Sequence, residues 1–180
     1  MLHPFQQLRP EYEHLLSIMK VTRAAEVEGI ARKLLRFKPR YAPGSAATGV
    51  PIVIIATLHQ RESSADFSTY LGNGEPLNRV TRLVPKGRGP FPTWEAGAID
   101  GIHYDHLDDN SAPWSMPYAC FKGEVWNGFG PRNHGRHTGY LWGGTSIYDG
   151  GKYVRDGVWD PNFKDPQIGI VPVILRMGMI

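Results

Sequence analysis

Apolar residues recur every three or four positions along much of the chain, the spacing that places them on one face of an α-helix. Val27, Ile30 and Leu34 illustrate this, because they form a continuous stripe in the second such stretch. Thr22 and Thr93 each precede a stretch in the position of an N-cap. The pattern predicts helices over about residues 11–20, 22–37, 49–61, 94–107 and 113–126, and a last helix that begins at Asp165 and Pro166.

A short β-hairpin is predicted directly after the third helix. Residues 67–71 and 79–84 are rich in strand-forming residues, and the turn-forming sequence Gly72-Asn73-Gly74 lies between them. Residues 39–48 are expected to form a loop, and residues 129–157, which are rich in glycine and aromatic side chains, are expected to be irregular. The chain is therefore predicted to be an α+β protein that is mostly helical and has one small hairpin.

The length of 180 residues suits a single domain with a hydrophobic core. We expect one domain over residues 1–180, with a helical part at about 11–61, a hairpin at about 66–85 and a helical, loop-rich part at about 93–180. Cys120 is the only cysteine, which excludes an intrachain disulfide. We interpret it as a small core residue.

Charge and the N-terminal sequence limit the partners that we expect. A net charge of +3 suits an anionic partner such as a cell-wall polymer, but it is too small to indicate nucleic-acid binding. Lys86 and Arg88 flank glycines in a predicted exposed loop and would contact such a polymer. The sequence shows no secretory signal and no apolar stretch long enough to span a membrane. We therefore expect accumulation in the cytosol and no membrane partner.

Glu62 follows the most apolar stretch of the chain, which extends from Pro51 to Leu58. In a helix, Ile54, Leu58 and Glu62 would share one face. Aliphatic neighbours desolvate a carboxyl group and raise its pKa, so that it can hold a proton near neutral pH. Glu62 is therefore a candidate general acid, and the alternative is a solvated glutamate at a helix end.

Four motifs occur in order along the chain, and the likeness that they carry covers roughly residues 25–178. They are His59-Gln-Arg-Glu-Ser-Ser-Ala-Asp-Phe67, Asn73-Gly-Glu-Pro-Leu77, Tyr140-Leu-Trp142 and Gly151-Lys-Tyr-Val154. In this series the chain resembles the lysozyme-like superfamily of peptidoglycan hydrolases, in particular phage endolysins and related bacterial wall-lytic proteins. The resemblance implies a lysozyme-like fold, peptidoglycan as substrate, and no cofactor or metal.

The same family implies a second catalytic group. Phage-type lysozymes carry a glutamate, an aspartate or cysteine, and a threonine, with five residues between the last two; Glu75 and Thr81 have that spacing here. Glu62 lies thirteen residues before Glu75, a longer gap than the family usually has. Glu75 would activate the attacking water and Thr81 would anchor it. The alternatives are a turn residue for Glu75 and an ordinary strand residue for Thr81.

Glycan-binding residues are expected in the second half of the chain. Trp126-Asn127-Gly128 resembles the Tyr-Asn-Gly segment that lines the cleft of lysozyme-like families, which implies sugar binding by Asn127 and Trp126. Tyr140 and Trp142 lie in the predicted glycine-rich loop, where an exposed ring would suit the apolar face of a pyranose. Glu124 is the other well-placed acid.

The histidines offer a metal site as an alternative. His103 and His106 are three residues apart, as are His134 and His137, but no His-Glu-x-x-His sequence occurs. We therefore expect no metal.

The function that we expect is an endolysin-type muramidase, which cleaves the β-1,4 bond between N-acetylmuramic acid and N-acetylglucosamine with Glu62 as general acid. A lytic transglycosylase that uses the same Glu62 and a non-catalytic wall-binding module stay open as alternatives. The expected partner is the peptidoglycan glycan strand. The protein would be a monomer, made in the host cytoplasm and acting on the cell wall after release or export.

Overall fold

The computed structural model describes residues 3–109, 111–155 and 157–178. About half of the chain is helical and one small antiparallel sheet is present, which confirms the α+β class. The α-helices are Phe5–Ile18 (α1), Ala24–Arg36 (α2), Lys38–Thr48 (α3), Ile52–Ser63 (α4), Trp94–Tyr104 (α5), Met116–Asn127 (α6), Gly139–Trp142 (α7) and Ile170–Met177 (α8). The strands are Lys152–Arg155 (β1) and Val158–Asp160 (β2), and Gly130–His134 is a 3₁₀-helix.

The chain divides into two compact units, and the first contains the residues up to Ala31 and Ala112–Gly178. In this unit α6 packs against α1, α7 and α8. Gly123 of α6 lets the side chains of Ile170 and Leu141 pack closely against this helix. A Cβ at position 123 would overlap both side chains. Cys120 is buried in the same helix, as predicted for a core residue, and burial raises the pKa of its thiol.

The second unit contains Arg32–Ser111, and α4 lies at its centre. Every residue of α4 from Val53 to His59 is buried. The helix α3 packs against both α4 and α5, and the rings of Tyr41 and Trp94, which are buried, contact the imidazole of His59. The local start of α5 is as predicted, because the Thr93 hydroxyl accepts a hydrogen bond from Ala96 N–H.

The predicted loop at residues 39–48 is instead the helix α3. Pro39 lies in the first helical turn, where a missing N–H has no partner to lose. Tyr41 and Gly44 are buried on one face of α3, and the Gly44 backbone lies close to the Ile55 side chain. Packing against α4 therefore outweighs the poor helix propensity of Pro43 and Gly44.

The predicted hairpin after α4 is reduced to a single bridge, and residues 67–71 do not form a strand. Thr69 forms an isolated antiparallel bridge with Pro76, and residues 79–84 do not form a strand. The only sheet of the described residues is β1–β2, which pairs Tyr153 with Trp159. Residues 129–157, expected to be irregular, therefore contain a 3₁₀-helix, α7 and β1.

The last helix also begins later than predicted. The Asp165 carboxylate accepts a hydrogen bond from Gln167 N–H, as in an Asx-turn, but α8 starts only at Ile170. Pro172 lies in the first turn of α8, so it does not kink the helix.

One finding bears on membranes. Among the described residues no single helix is long and apolar enough to cross a bilayer. Lys38–Thr48 and Ile52–Ser63 reach the required length and composition only when they are taken together, and they are bent by 115° at the break between them.

Candidate functional site

Glu62 lies in the last turn of α4 and is half-buried. The end of this helix is tightly fixed. Ser64 adopts the left-handed conformation and its N–H bonds to the Gln60 carbonyl, while Lys33 Nζ donates to the Ser64 carbonyl at 2.6 Å. The backbone that carries the Glu62 carboxyl group is thus held at both the helix and the loop that follows it.

The turn that precedes Glu75 lies against this helix end. A Cβ at Gly74 would lie 3.6 Å from the Glu62 carbonyl oxygen, so the two backbones are close neighbours. Gly74 has a φ of +74°, which favours glycine at this position. The sequence prediction that places Glu75 near the end of α4 is therefore consistent with the backbone geometry.

The Glu75 carboxylate, however, is engaged by the polypeptide itself. Glu75 is 8% exposed, and its Oε2 accepts hydrogen bonds from Arg82 N–H and Leu83 N–H, each at 2.8 Å. The amide of Asn73 donates to the same oxygen at 3.3 Å. The bond from Leu83 N–H is the main cause that lowers the pKa of Glu75 from its ordinary value. Glu75 is thus a loop-anchoring carboxylate.

Thr81 has a similar structural role. Its hydroxyl is buried, donates to the Pro85 carbonyl at 2.5 Å and accepts from Arg88 N–H at 3.0 Å. A hydroxyl with both bonds committed to the loop backbone is poorly placed to anchor a water molecule. The prediction that residues 79–84 form a strand is wrong, since Glu75 takes the N–H groups of Arg82 and Leu83 that a neighbouring strand would need.

In the first unit, Asn127 is exposed at the end of α6 and Trp126 is half-buried. The Asn127 amide donates to Thr138 Oγ1 at 3.3 Å, which connects the end of α6 to the start of α7. These positions leave a sugar-binding role open for Asn127 and Trp126, and no observation tests it.

The expectation that Tyr140 and Trp142 present exposed rings is wrong. Both belong to α7, and their exposed fractions are 7% and 1%. The prediction placed them in an irregular loop, but Thr138 caps the short helix through a bond from Tyr140 N–H, and both rings are buried in the core. A buried ring has no face to offer a pyranose.

Glu124 is also buried, with an exposed fraction of 2%. Tyr12 OH donates to its Oε2 at 2.6 Å, and Arg132 Nη2 donates to the same oxygen at 2.9 Å. Arg132 also bonds both carboxylate oxygens of Glu11, at 3.0 and 2.8 Å. This cluster is a buried ion-pair network, and sequence reasoning missed it because Glu11 and Tyr12 are more than 100 residues from Glu124 and Arg132 along the chain.

The histidines have ordinary protein partners. His59 lies in the core of the second unit, where its Nδ1 is 3.1 Å from Tyr41 OH and its Nε2 is 3.0 Å from the Asp66 carbonyl. Burial lowers the pKa of His59 to about 4. His103 pairs with Asp108 at 2.7 Å. Among the described residues, no group of three or more His, Cys, Asp or Glu side chains is arranged to hold a metal ion.

Aromatic side chains that the site prediction did not include lie together at the β1–β2 sheet. His134 stacks on Trp159 with ring centroids 4.2 Å apart and an interplanar angle of 6°. Its Nε2 lies 2.9 Å from Tyr153 OH. The sequence carried a signal for this sheet, because Asp156-Gly157 lies between two short strand-forming segments.

Comparison with protein-family models, with curated proteins and with solved structures finds no match for this chain.

Proposed function

We propose that this protein cleaves the β-1,4 bond between N-acetylmuramic acid and N-acetylglucosamine in peptidoglycan, with Glu62 as the general acid, on a lysozyme-like fold. One observation carries the proposal. Glu62 is a half-buried carboxyl group in the last turn of a helix whose preceding residues, Val53 to His59, are all buried. Such a group is fixed in position and still reaches solvent, as proton donation to a substrate oxygen requires.

Glycoside cleavage needs a donor for the leaving oxygen and a nucleophile for the anomeric carbon. Glu62 supplies the first. In a hydrolase the nucleophile is a water molecule, which a second carboxylate activates. The sequence predicts that Glu75 is this second carboxylate. Its Oε2 accepts three hydrogen bonds from the protein, two of them from the backbone.

These bonds favour a second candidate, a lytic transglycosylase. In that reaction the 6-hydroxyl of the muramyl residue attacks its own anomeric carbon, and the bond to the leaving sugar breaks as Glu62 donates a proton. Glu62 then accepts the proton of the attacking hydroxyl, so one carboxyl group suffices. A Glu75 and a Thr81 that are occupied with loop structure fit this reaction better than they fit water activation.

The test combines one substitution with product analysis. Glu62→Gln keeps the size of the side chain and removes the acidic proton, so digestion of purified sacculi should fall ~10²–10⁴-fold. Glu13→Gln is the matched control, because Glu13 is exposed and forms an ion pair with Arg9 in the same helix. Unfolding curves should show that both variants stay folded.

Mass spectrometry of the released fragments distinguishes the candidates. A reducing muramyl end identifies a hydrolase, and a 1,6-anhydro end identifies a transglycosylase. A folded Glu62→Gln variant that digests sacculi at the wild-type rate would remove Glu62 from the chemistry. Retained wall binding with no cleavage by the wild type would instead support the non-catalytic wall-binding module.

A further inference from the structure

Residues 79–88, here called the tip loop, present the most exposed large apolar side chains of the part of the chain that the structure describes. Val84 is 74% exposed and Leu83 is 60% exposed, and the nearby Val80 is 49% exposed. Isolated exposed aliphatic residues are common on protein surfaces. Three of them within one loop make this loop an apolar projection, which favours contact with a partner.

The tip loop is held rigidly from its inner side. Glu75 binds the N–H groups of Arg82 and Leu83, and the amide of Asn73 donates to the Leu83 carbonyl at 3.3 Å. The Thr81 hydroxyl bonds across the base of the loop, to the Pro85 carbonyl and Arg88 N–H. A buried carboxylate and a buried hydroxyl thus fix the backbone that holds Leu83 and Val84 in solvent.

Positive charge surrounds this apolar projection. Arg79, Arg82 and Lys86 are exposed. The nearby Glu75 carboxylate interacts electrostatically with Arg79 and Arg82, but it is buried and bonded to the loop backbone. The sequence has no aspartate or glutamate between residues 76 and 94. The fourth cation, Arg88, is instead paired with Asp100 and lies over the Tyr104 ring. The exposed surface of the tip loop therefore combines apolar and cationic side chains.

We propose that the tip loop docks on a bilayer surface rich in anionic lipids, with Leu83 and Val84 inserted among the acyl chains and Arg79, Arg82 and Lys86 at the phosphates. Projecting aliphatic side chains lose their contact with water when they enter the acyl chains of a bilayer. Basic side chains beside them are attracted by the negative surface potential of the lipids. This contact needs no membrane-spanning helix.

An anionic wall polymer explains less of the tip loop. Its carboxylates would neutralise Arg79, Arg82 and Lys86, but they would leave Leu83 and Val84 in water. The bilayer surface accounts for both features, so it is the partner that we infer. The inference does not rest on glycan cleavage, because binding to lipid can be measured without turnover.

Sedimentation with vesicles tests the inference. The wild-type protein should bind vesicles of phosphatidylcholine mixed with phosphatidylglycerol, and should bind pure phosphatidylcholine much less. The double variant Leu83→Ser, Val84→Ser should lose at least tenfold in affinity. The single variants Arg79→Gln and Arg82→Gln should each have about fivefold lower affinity for the anionic vesicles, because one basic residue near an anionic surface raises the affinity by about that factor.

The control double variant is Val154→Ser, Leu175→Ser, which removes two aliphatic side chains that are each 45% exposed and lie outside the tip loop. It should bind vesicles like the wild type. The inference is overturned if the wild type does not bind anionic vesicles, or if the tip-loop double variant binds them unchanged. It is also overturned if that variant loses binding only to purified sacculi, since the partner would then be the wall polymer.

A direct probe of insertion protects the test from misfolding. Cys120 is buried, so a thiol-reactive, polarity-sensitive dye should label the variant Val84→Cys at the new cysteine alone. The dye emission should shift to shorter wavelength when anionic vesicles are added, because its surroundings become less polar. An unchanged spectrum with vesicle-bound protein would show that residue 84 stays in water and would overturn the inference.

Discussion

Two helices, one in each compact unit, carry a glutamate in their last turns, and the two carboxyl groups have different surroundings. Glu62 of α4 is half-buried at the surface of the second unit. Glu124 of α6 is 2% exposed in the first unit and is paired with Arg132 and Tyr12. Glu62 is thus the less buried of the two residues.

The comparison teaches that position on a helix does not decide the role of a glutamate. A buried carboxylate requires a charge partner and hydrogen bonds, because desolvation otherwise makes its charged form very unfavourable. Arg132 Nε lies 2.8 Å from Glu124 Oε1, and Tyr12 bonds the other oxygen. Glu124 therefore has a structural role in the first unit, whereas Glu62 is the candidate acid that we propose.

The largest effect is expected from separating this buried pair. Arg132→Met removes the guanidinium and leaves Glu124 buried without its charge partner, so we expect a loss of about 3–5 kcal/mol in the free energy of unfolding. Arg9→Met is the control, since Arg9 and Glu13 form an exposed pair and the expected loss is below ~1 kcal/mol. Urea denaturation measures both. A loss for Arg132→Met as small as that of the control would show that Glu124 is not held by this pair.

The local parts of the fold could be predicted from the sequence, because their causes are local. Thr93 was identified as an N-cap, and its hydroxyl does accept a hydrogen bond in the first turn of α5. The apolar run before Glu62 was identified as a buried helix, and α4 is buried from Val53 to His59. Periodicity and capping are properties of adjacent residues, so the sequence shows them directly.

The rest depended on contacts between residues far apart along the chain. Tertiary packing turns residues 38–48 into α3 in spite of two prolines and a glycine. The N–H groups of residues 82 and 83 donate hydrogen bonds to the Glu75 carboxylate and so are not available to a strand. The burial of Trp142 likewise follows from the packing of α7 against α6 and α8. No local pattern encodes these interactions, so the roles of Glu75, Thr81 and Trp142 were the least predictable.

The second prediction examines the interior of α4, on which the fixed position of Glu62 depends. Burial lowers the pKa of His59 to about 4, below the value of ~6.5 expected in the unfolded chain. The folded state therefore favours neutral His59. The stability that this contributes is complete above about pH 6.5 and is lost as the pH falls toward 4, a change of about 3 kcal/mol.

Chemical denaturation at several pH values measures this loss, and an NMR titration of the imidazole follows His59 directly. The variant His59→Gln should lose less stability than the wild type between pH 6.5 and 4, because it has no imidazole to protonate. An imidazole that titrates near pH 6.5 in the folded protein would show that the interior of α4 is hydrated. A hydrated interior would not hold Glu62 in a fixed position, and Glu62 would then be an ordinary solvated glutamate at a helix end.

The smallest effect on catalysis is expected from Glu75→Gln. The glutamine carbonyl can still accept hydrogen bonds from Arg82 N–H and Leu83 N–H, but without the negative charge these bonds are weaker. If Glu75 anchors the tip loop and does not act as a base, digestion of sacculi should change far less than the ~10²–10⁴-fold that loss of an acid–base group causes. Amide hydrogen exchange at residues 82 and 83 should become faster at the same time.

The wild type should show the same loosening of the tip loop on acidification. The pKa of Glu75 is held below its usual range, so the contribution of its charge to stability is present at neutral pH and is lost as the pH falls through that lowered value. A collapse of digestion with unchanged amide exchange would identify Glu75 as the catalytic base, and the two-carboxylate hydrolase would then replace the single-acid mechanism.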